Sequence, residues 1–277
     1  MDIDGTLLDS ASRLPEENVR AMTEAAASGI EIVVVTGRRF ASARSIFASL
    51  DCDLHLIVSN GALIKSKTGE THQRFLLPVD TARRVLEATQ DYRPYACVIF
   101  DRLHENQLFF EKVDWDGPFQ GPYLRRHREQ VTELAPLTAC LDGEDPIEVM
   151  FMAQCEIIRR ATELLKTLPI AGSYTLAHTE YPHRNLTMLD VMRRGITKGT
   201  ALAEWARRRG IAREEVMAIG DNWNDREMLE YAGLPVVMAN SVPELKSQGW
   251  TIAPSNDENG VAEAIRTHAL NGIVRRS

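Results

Sequence analysis

The chain has 277 residues, 44% of them apolar and 26% charged, with a net charge of −7. That is enough apolar material for a sizeable core, and the acidic balance argues against a nucleic-acid binder, which carries a basic footprint. The cysteines Cys52, Cys97, Cys140 and Cys155 form no C-x-x-C pair, and no apolar run approaches the ~20 residues of a membrane span. With no basic-then-apolar start either, the expectation is a cytoplasmic protein with reduced thiols.

Residues 15–28 read as a helix. Pro15 suits a first turn, Glu16 and Glu17 favour its positive end, and Gly29 is a natural stop. Val19, Met22 and Ala26 fall on one face. The run Ile30-Glu31-Ile32-Val33-Val34-Val35 is β-branched and nearly continuous, as in a strand buried on both faces of a parallel sheet. It ends at Thr36-Gly37-Arg38. A helix over 40–50 and an apolar run over 54–58 follow, then Ser59-Asn60-Gly61. This succession predicts a βαβ sheet.

From about 78 to 190 the pattern changes. Alternating stretches at 95–100 and 148–152 stand among helical patterns at 80–91 and 154–168, which predicts an α+β insertion. The first rhythm then returns. It gives a helix over 198–209, a strand over 216–219 ending at Gly220-Asp221, a helix over 226–231 and a strand over 235–238. Short elements at 242–247, 250–253 and 260–268 complete it. The expected class is α/β: a doubly wound, Rossmann-like parallel-sheet core from residues 1–78 and 190–277, with an α+β cap domain, 79–189, inserted.

Four segments place reactive side chains at strand ends or helix starts. If Asp2 ends a strand, alternation puts Asp2 and Asp4 on the same side. One such carboxylate can attack phosphorus and hold a metal. The other can protonate the leaving group and then deprotonate water, while Gly5 permits a sharp turn. Thr36 and Gly37 offer a hydroxyl and an open amide beyond a strand's carboxyl end, where ligands of parallel sheets sit. Lys198 opposes the dipole of its helix by about 0.3–1 kcal/mol, which a bound anion would offset. Asp221 can ligate a hard cation, and Asn224 and Asp225 can orient the metal shell or a phosphate. Each segment alone also reads as ordinary structure: an acidic turn, a capping threonine, a surface lysine, a capped acidic loop. Together they form a phosphoryl-transfer set in which cation and lysine balance the charge of the transferring group. An aspartate nucleophile divides the reaction into two easier steps.

With these motifs the sequence resembles the haloacid dehalogenase superfamily, and within it the Cof-type phosphatases, whose cap is inserted between the second and third motifs. Asp2-Ile3-Asp4-Gly5-Thr6 matches D-x-D-G-T, Val35-Thr36-Gly37-Arg38 the second motif, Lys198 the third, and Gly220-Asp221 with Asn224-Asp225 the fourth. Ser59-Asn60-Gly61-Ala62 resembles a further short motif of that branch. The resemblance implies a Mg2+-dependent phosphatase. Asp2 is then nucleophile and metal ligand, and Asp4 is general acid/base and gives the metal its carbonyl. Thr36, Gly37 and Lys198 hold the phosphate, and Asp221 completes the protein ligands. Asn224 and Asp225 support the site, Asn224 also touching phosphate.

The implied substrate is a small phosphorylated metabolite, a sugar phosphate or a phosphorylated cofactor, with Glu148, Arg184 and Asn185 as candidate cap contacts. His178, Glu180 and His183 lie in one run, either a metal site or, as expected from their spacing, a polar loop or strand edge. The expected state is a monomer or weak homodimer. A phosphomutase-like phosphotransferase and a ligand-binding relative are the competing readings. The family has an apolar strand before the nucleophile, whereas only Met1 precedes Asp2. A strand takes ~5–6 residues. The expectation is therefore that the natural chain begins upstream. For a chain starting at Met1, its amine is expected beside Asp2, able to pair with it.

Overall fold

Met1 and Asp2 are extended, and Gly5, at φ +80°, turns the chain within Ile3–Leu7. These observations come from a computed structural model, which describes residues 1–102, 105–117, 121–181 and 184–271. Helix α1 (Glu16–Ala27) follows Pro15. Its buried stripe is Asn18, Ala21, Met22 and Ala25 rather than Val19, Met22 and Ala26. Asn18 draws the helix round: its Nδ2 donates to the Leu7 carbonyl at 2.9 Å, and its Oδ1 accepts the Ala262 N–H at 3.0 Å.

Strand β1 (Val33–Val35) is the paired end of the 30–35 run, and α2 (Phe40–Ile46) leads to β2 (His55–Val58). β2 runs parallel to β1 with Val34 opposite Leu56. β3 (Leu63–Ser66) and β4 (Thr71–Arg74) then add two antiparallel strands. The sequence expectation lacks this hairpin, because Thr71-His72-Gln73-Arg74 carries no apolar alternation to betray a strand.

The chain divides here. Met1–Arg74 and Thr197–Ser277 form one compact unit, and Phe75–Ile196 forms another. The second contains α3 (Val79–Ala88), β5 (Ala96–Ile99), β6 (Leu108–Phe110), α4 (Gly121–Arg126), β7 (Val131–Glu133), β8 (Glu148–Ala153), α5 (Cys155–Thr167), β9 (Tyr174–Tyr181) and β10 (Leu186–Arg193). Its sheet has the order β7-β6-β5-β8-β10-β9, antiparallel except for the β6–β7 pair. Val98, Val149, Phe151, Leu189 and Val191 from alternate strand positions share one core with Val85 and Leu86 of α3 and Ile158 and Leu165 of α5. β10 passes straight through position 190, where sequence reading cut the domains, because its pairing with β8 continues to Met192.

The first unit resumes with α6 (Lys198–Arg209), β11 (Met217–Gly220), α7 (Arg226–Tyr231), β12 (Leu234–Met238), α8 (Pro243–Lys246), β13 (Thr251–Ala253) and α9 (Gly260–Ala264). Thr197 caps α6, its Oγ1 accepting the Thr200 N–H, and Gly210 at φ +70° ends it. β11, β12 and β13 are parallel. Met1 and Asp2 lie between β1 and β11. The Met1 amine donates to the Val33 carbonyl at 2.9 Å, and the Val35 N–H donates to the Met1 carbonyl at 2.8 Å. On the other side the Asp2 N–H donates to the Ile219 carbonyl at 3.0 Å. Asp2 therefore stands beside the carboxyl ends of both strands. Among the described residues, no helix is long and apolar enough to cross a membrane.

Candidate active site

Lys198 is the centre of the arrangement. It is 2% exposed, and its Nζ donates to Asp2 Oδ1 at 2.7 Å and to Asp225 Oδ1 at 2.6 Å. These two carboxylates are the anions that offset its unfavourable place at the start of α6. Burial works against the ammonium, but Asp2 and Asp225 outweigh it and hold Lys198 above the ordinary lysine range. Asp225 Oδ2 accepts the backbone N–H groups of Asp221 and Asn222, each at 3.0 Å. Thr6 Oγ1 donates to Asp221 Oδ1 at 2.8 Å. Gly5 is required beside it, since a Cβ there would overlap the Asp221 carboxylate.

Burial pushes Asp2 up to about 7, against the pull of Lys198 and with help from Asp225 and Asp4. Burial also holds Asp221 well above the usual carboxylate range, with Asp225 and Asp2 adding to it. Carboxylate oxygens of Asp2, Asp221 and Asp225 lie within 4.8 Å of one another. Three carboxylates against one ammonium leave two surplus negative charges, and all the donors are hard oxygens. A divalent cation such as Mg2+ fits that set. Asp225 already accepts from Lys198 and two amides, so Asp2 and Asp221 are the carboxylates with capacity to ligate.

Asp4 takes a different partner. The Arg38 guanidinium grips it with both arms, Nε to Oδ2 at 2.7 Å and Nη2 to Oδ1 at 2.6 Å. Ile3, between Asp2 and Asp4, is buried in the core. Thr36 is buried at the end of β1, and its Oγ1 accepts the Arg38 N–H at 3.1 Å. Gly37 lies against the Asn60 side chain, to which Asn224 Nδ2 donates at 3.0 Å. The amine of Met1 bonds to Val33, and burial lowers it to about 6. Contrary to the expectation of pairing with the amine, Asp2 is held by Lys198, because the strand-like backbone directs that amine along the ladder.

The candidate cap residues are not brought together. Glu148 is buried at the start of β8, opposite Met192, whereas Arg184 and Asn185 lie in the turn between β9 and β10, before Leu186. Roughly 20 Å of strand separates them. Asn185, at φ +48°, accepts the Cys155 N–H through Oδ1 at 3.3 Å, a contact at the start of α5. His178 is on the edge strand β9 and shares a 3.0 Å hydrogen bond with Thr162 Oγ1; burial lowers its pKa. Glu180 is exposed on the same strand, and His183 lies outside the described residues. Sequence reading assigned no role to Thr6, Arg38 or Asn60. The available signal was position, since all three fall inside or beside the quoted motifs.

Comparisons with known proteins identify the family of the chain. The family described as haloacid dehalogenase-like hydrolase matches residues 1–265. The 5-amino-6-(5-phospho-D-ribitylamino)uracil phosphatase YcsE of Bacillus subtilis is 30% identical over 272 residues, covering 98% of this chain and 94% of that protein. The HMP-PP phosphatase of Serratia proteamaculans is 30% identical over 259 residues, covering 89% and 85%. A solved haloacid dehalogenase-like hydrolase from B. subtilis aligns with a TM-score of 0.80 at 25% identity, over 97% of this chain and 98% of that one. The chain belongs to the haloacid dehalogenase-like hydrolases, as an enzyme of their phosphatase type.

Proposed function

We propose that this enzyme hydrolyses the phosphate ester of a small metabolite, a sugar phosphate or a phosphorylated cofactor, through an aspartyl-phosphate on Asp2. The observation that carries the reading is the Asp2–Lys198–Asp225 arrangement beside Asp221: a buried carboxylate with one oxygen anchored at 2.7 Å, in a cluster two charges short of neutrality. The relatives named as phosphatases for a ribitylaminouracil phosphate and for HMP-PP support the substrate class.

An Asp2 oxygen attacks phosphorus, and the bond from phosphorus to the leaving oxygen breaks. Asp4 gives that oxygen a proton. Asp4 then takes a proton from water, whose oxygen attacks the same phosphorus, releasing inorganic phosphate and restoring Asp2. While both oxygens of Asp4 accept from Arg38 the carboxyl cannot donate, so the pair opens when substrate enters and Asp4 takes up a proton from solvent before the leaving oxygen receives it. Thr36, Gly37, Lys198 and Asn224 hold the phosphoryl oxygens. Mg2+, held by Asp2, Asp221 and the Asp4 carbonyl with Asp225 in support, would offset the negative charge of the cluster and of the phosphoryl group.

The candidate cap contacts Glu148 and the Arg184–Asn185 turn stand too far apart along their strands for one small ester to touch both. A panel of phosphate esters with and without Mg2+ tests the whole reading. Mg2+-dependent release of free phosphate is expected. Isomerised sugar phosphate without release would favour the phosphomutase alternative, and an inert enzyme would favour a ligand-binding role.

A further inference from the structure

Ser59, Asn60 and Gly61 stand in succession at φ +48°, +49° and +110°. Glycine takes this region freely and asparagine tolerates it, but serine is strained there, and such strain persists only where the surroundings impose it. Here they do. The Ser59 N–H donates to the Arg38 carbonyl and the Asn60 N–H to the Thr36 carbonyl, both at 3.0 Å. Gly61 lies so close to the Thr197 carbonyl that a Cβ would overlap it. The bent segment is thus wedged between the 36–38 turn and the cap of the helix that begins with Lys198.

The Asn60 side chain extends the same link. It is 1% exposed, and its Oδ1 accepts from Asn224 Nδ2 at 3.0 Å. Its amide also faces Gly37, where a Cβ would stand 3.1 Å from Oδ1 and 3.2 Å from Nδ2. One buried amide therefore touches two of the groups assigned to the phosphate, Gly37 and Asn224, while its own backbone N–H bonds a third residue, Thr36.

We propose that Asn60 is a positioning residue of the phosphate pocket, holding the Asn224 amide and the Gly37 turn in the arrangement that receives the phosphoryl oxygens. This rests on the phosphatase reading above. A side-chain amide carries an acceptor at one end and donors at the other. By accepting from Asn224 Nδ2, Asn60 sets which way round the Asn224 amide stands. By filling the space beside Gly37 it holds that turn against the strand end. Asn60 itself need not touch substrate.

Asn60→Gly removes the amide and keeps a residue at ease with positive φ. The expected result is a folded enzyme, melting within a few degrees of the parent. Its KM and its inhibition constant for orthovanadate should both rise roughly tenfold to a hundredfold, the usual cost of losing an outer-shell partner. kcat should fall less. A purely structural residue would lower the melting point and leave both constants, per folded molecule, unchanged. Adding Asn224→Ala should cost little beyond the worse single variant, because residues that act as one unit are not additive. A folded Asn60→Gly enzyme with both constants within twofold of the parent overturns the proposal, as do independent, multiplying effects in the double variant.

Should Asn60→Gly fail to fold, Asn60→Asp replaces it. That variant keeps the acceptor and the tolerance for positive φ but sets a carboxylate against Gly37. A raised vanadate constant supports the role, and an unchanged one overturns it. An active parent with indifferent variants refutes this role alone. A parent that neither turns over an ester nor binds vanadate refutes the phosphatase reading and this role with it.

Discussion

Asp2 carries the sharpest consequence at the scale of single residues. Asp2→Asn removes the proposed nucleophile and keeps the shape, so phosphate release should fall to background while the fold persists. The same variant tests the electrostatics. Burial raises Asp2 from an ordinary 3.8 to about 7, so the folded chain binds a proton there more readily than the unfolded chain. The stabilisation from that proton is fully present below about 3.8 and is lost as pH rises through about 7. Asparagine resembles the protonated form. In Mg2+-free buffer, Asp2→Asn should therefore melt higher than the parent at pH 8, by roughly 2–4 °C for each kcal/mol relieved. The difference should vanish near pH 4. Thermal melts at the two pH values check this, and a lower midpoint for the variant at pH 8 would contradict it.

Helix α6 is the element on which Lys198 depends. Thr197 caps one end, and Trp205 anchors the body. The Trp205 indole is 5% exposed, its Nε1 donates to Glu31 Oε1 at 2.6 Å, and its ring lies 4.5 Å from that of His55 and 5.1 Å from that of His72. Arg209, one turn on, donates from Nε to Glu31 Oε2 at 2.8 Å. Glu31 thus ties the helix to the segment leading into β1. Burial holds His55 below the ordinary histidine range, with Glu31 opposing and His72 and Arg209 adding to the effect. Its ring packs against Trp205 and favours the uncharged form. Trp205→Ala should cost about 3–5 kcal/mol through the lost ring and the cavity left behind. Urea denaturation measures this as a lower midpoint, and kcat should fall with it because Lys198 rides on the same helix.

At the scale of the molecule, the inserted unit Phe75–Ile196 has, among the described residues, a core drawn from its own segments, with strands β5, β8 and β10 contributing alternate side chains and α3 and α5 packing against them. A fragment spanning 75–196 should therefore fold by itself. A cooperative thermal transition by circular dichroism is the expected outcome, and a chain without one would show that the unit needs the rest of the protein. The other unit is made from both ends of the sequence. Lys198 lies two residues beyond the insertion's last residue, Ile196, so the lysine that grips Asp2 is placed where the chain returns.

Much of this was legible in the chain alone. Helices over 198–209 and 226–231 have the predicted bounds, because capping residues and apolar spacing act within a few positions of one another. The buried strands of the first unit and the motifs at their ends were readable for the same reason, as was the class of fold. What tertiary structure decided lies between residues far apart in sequence. Lys198 and Asp2 are 196 positions apart, and only the folded sheet shows that Lys198 serves Asp225 as well. The grip of Arg38 on Asp4 and the wedge at Asn60 leave no periodic trace. Polar strands such as β4 hide for lack of an apolar face. Strand register likewise separates Glu148 from Arg184 and Asn185, which spacing along the chain could not measure. The Asp2-Ile3-Asp4-Gly5-Thr6 run was visible in the sequence, but its buried charge balance emerges only when both ends of the chain meet.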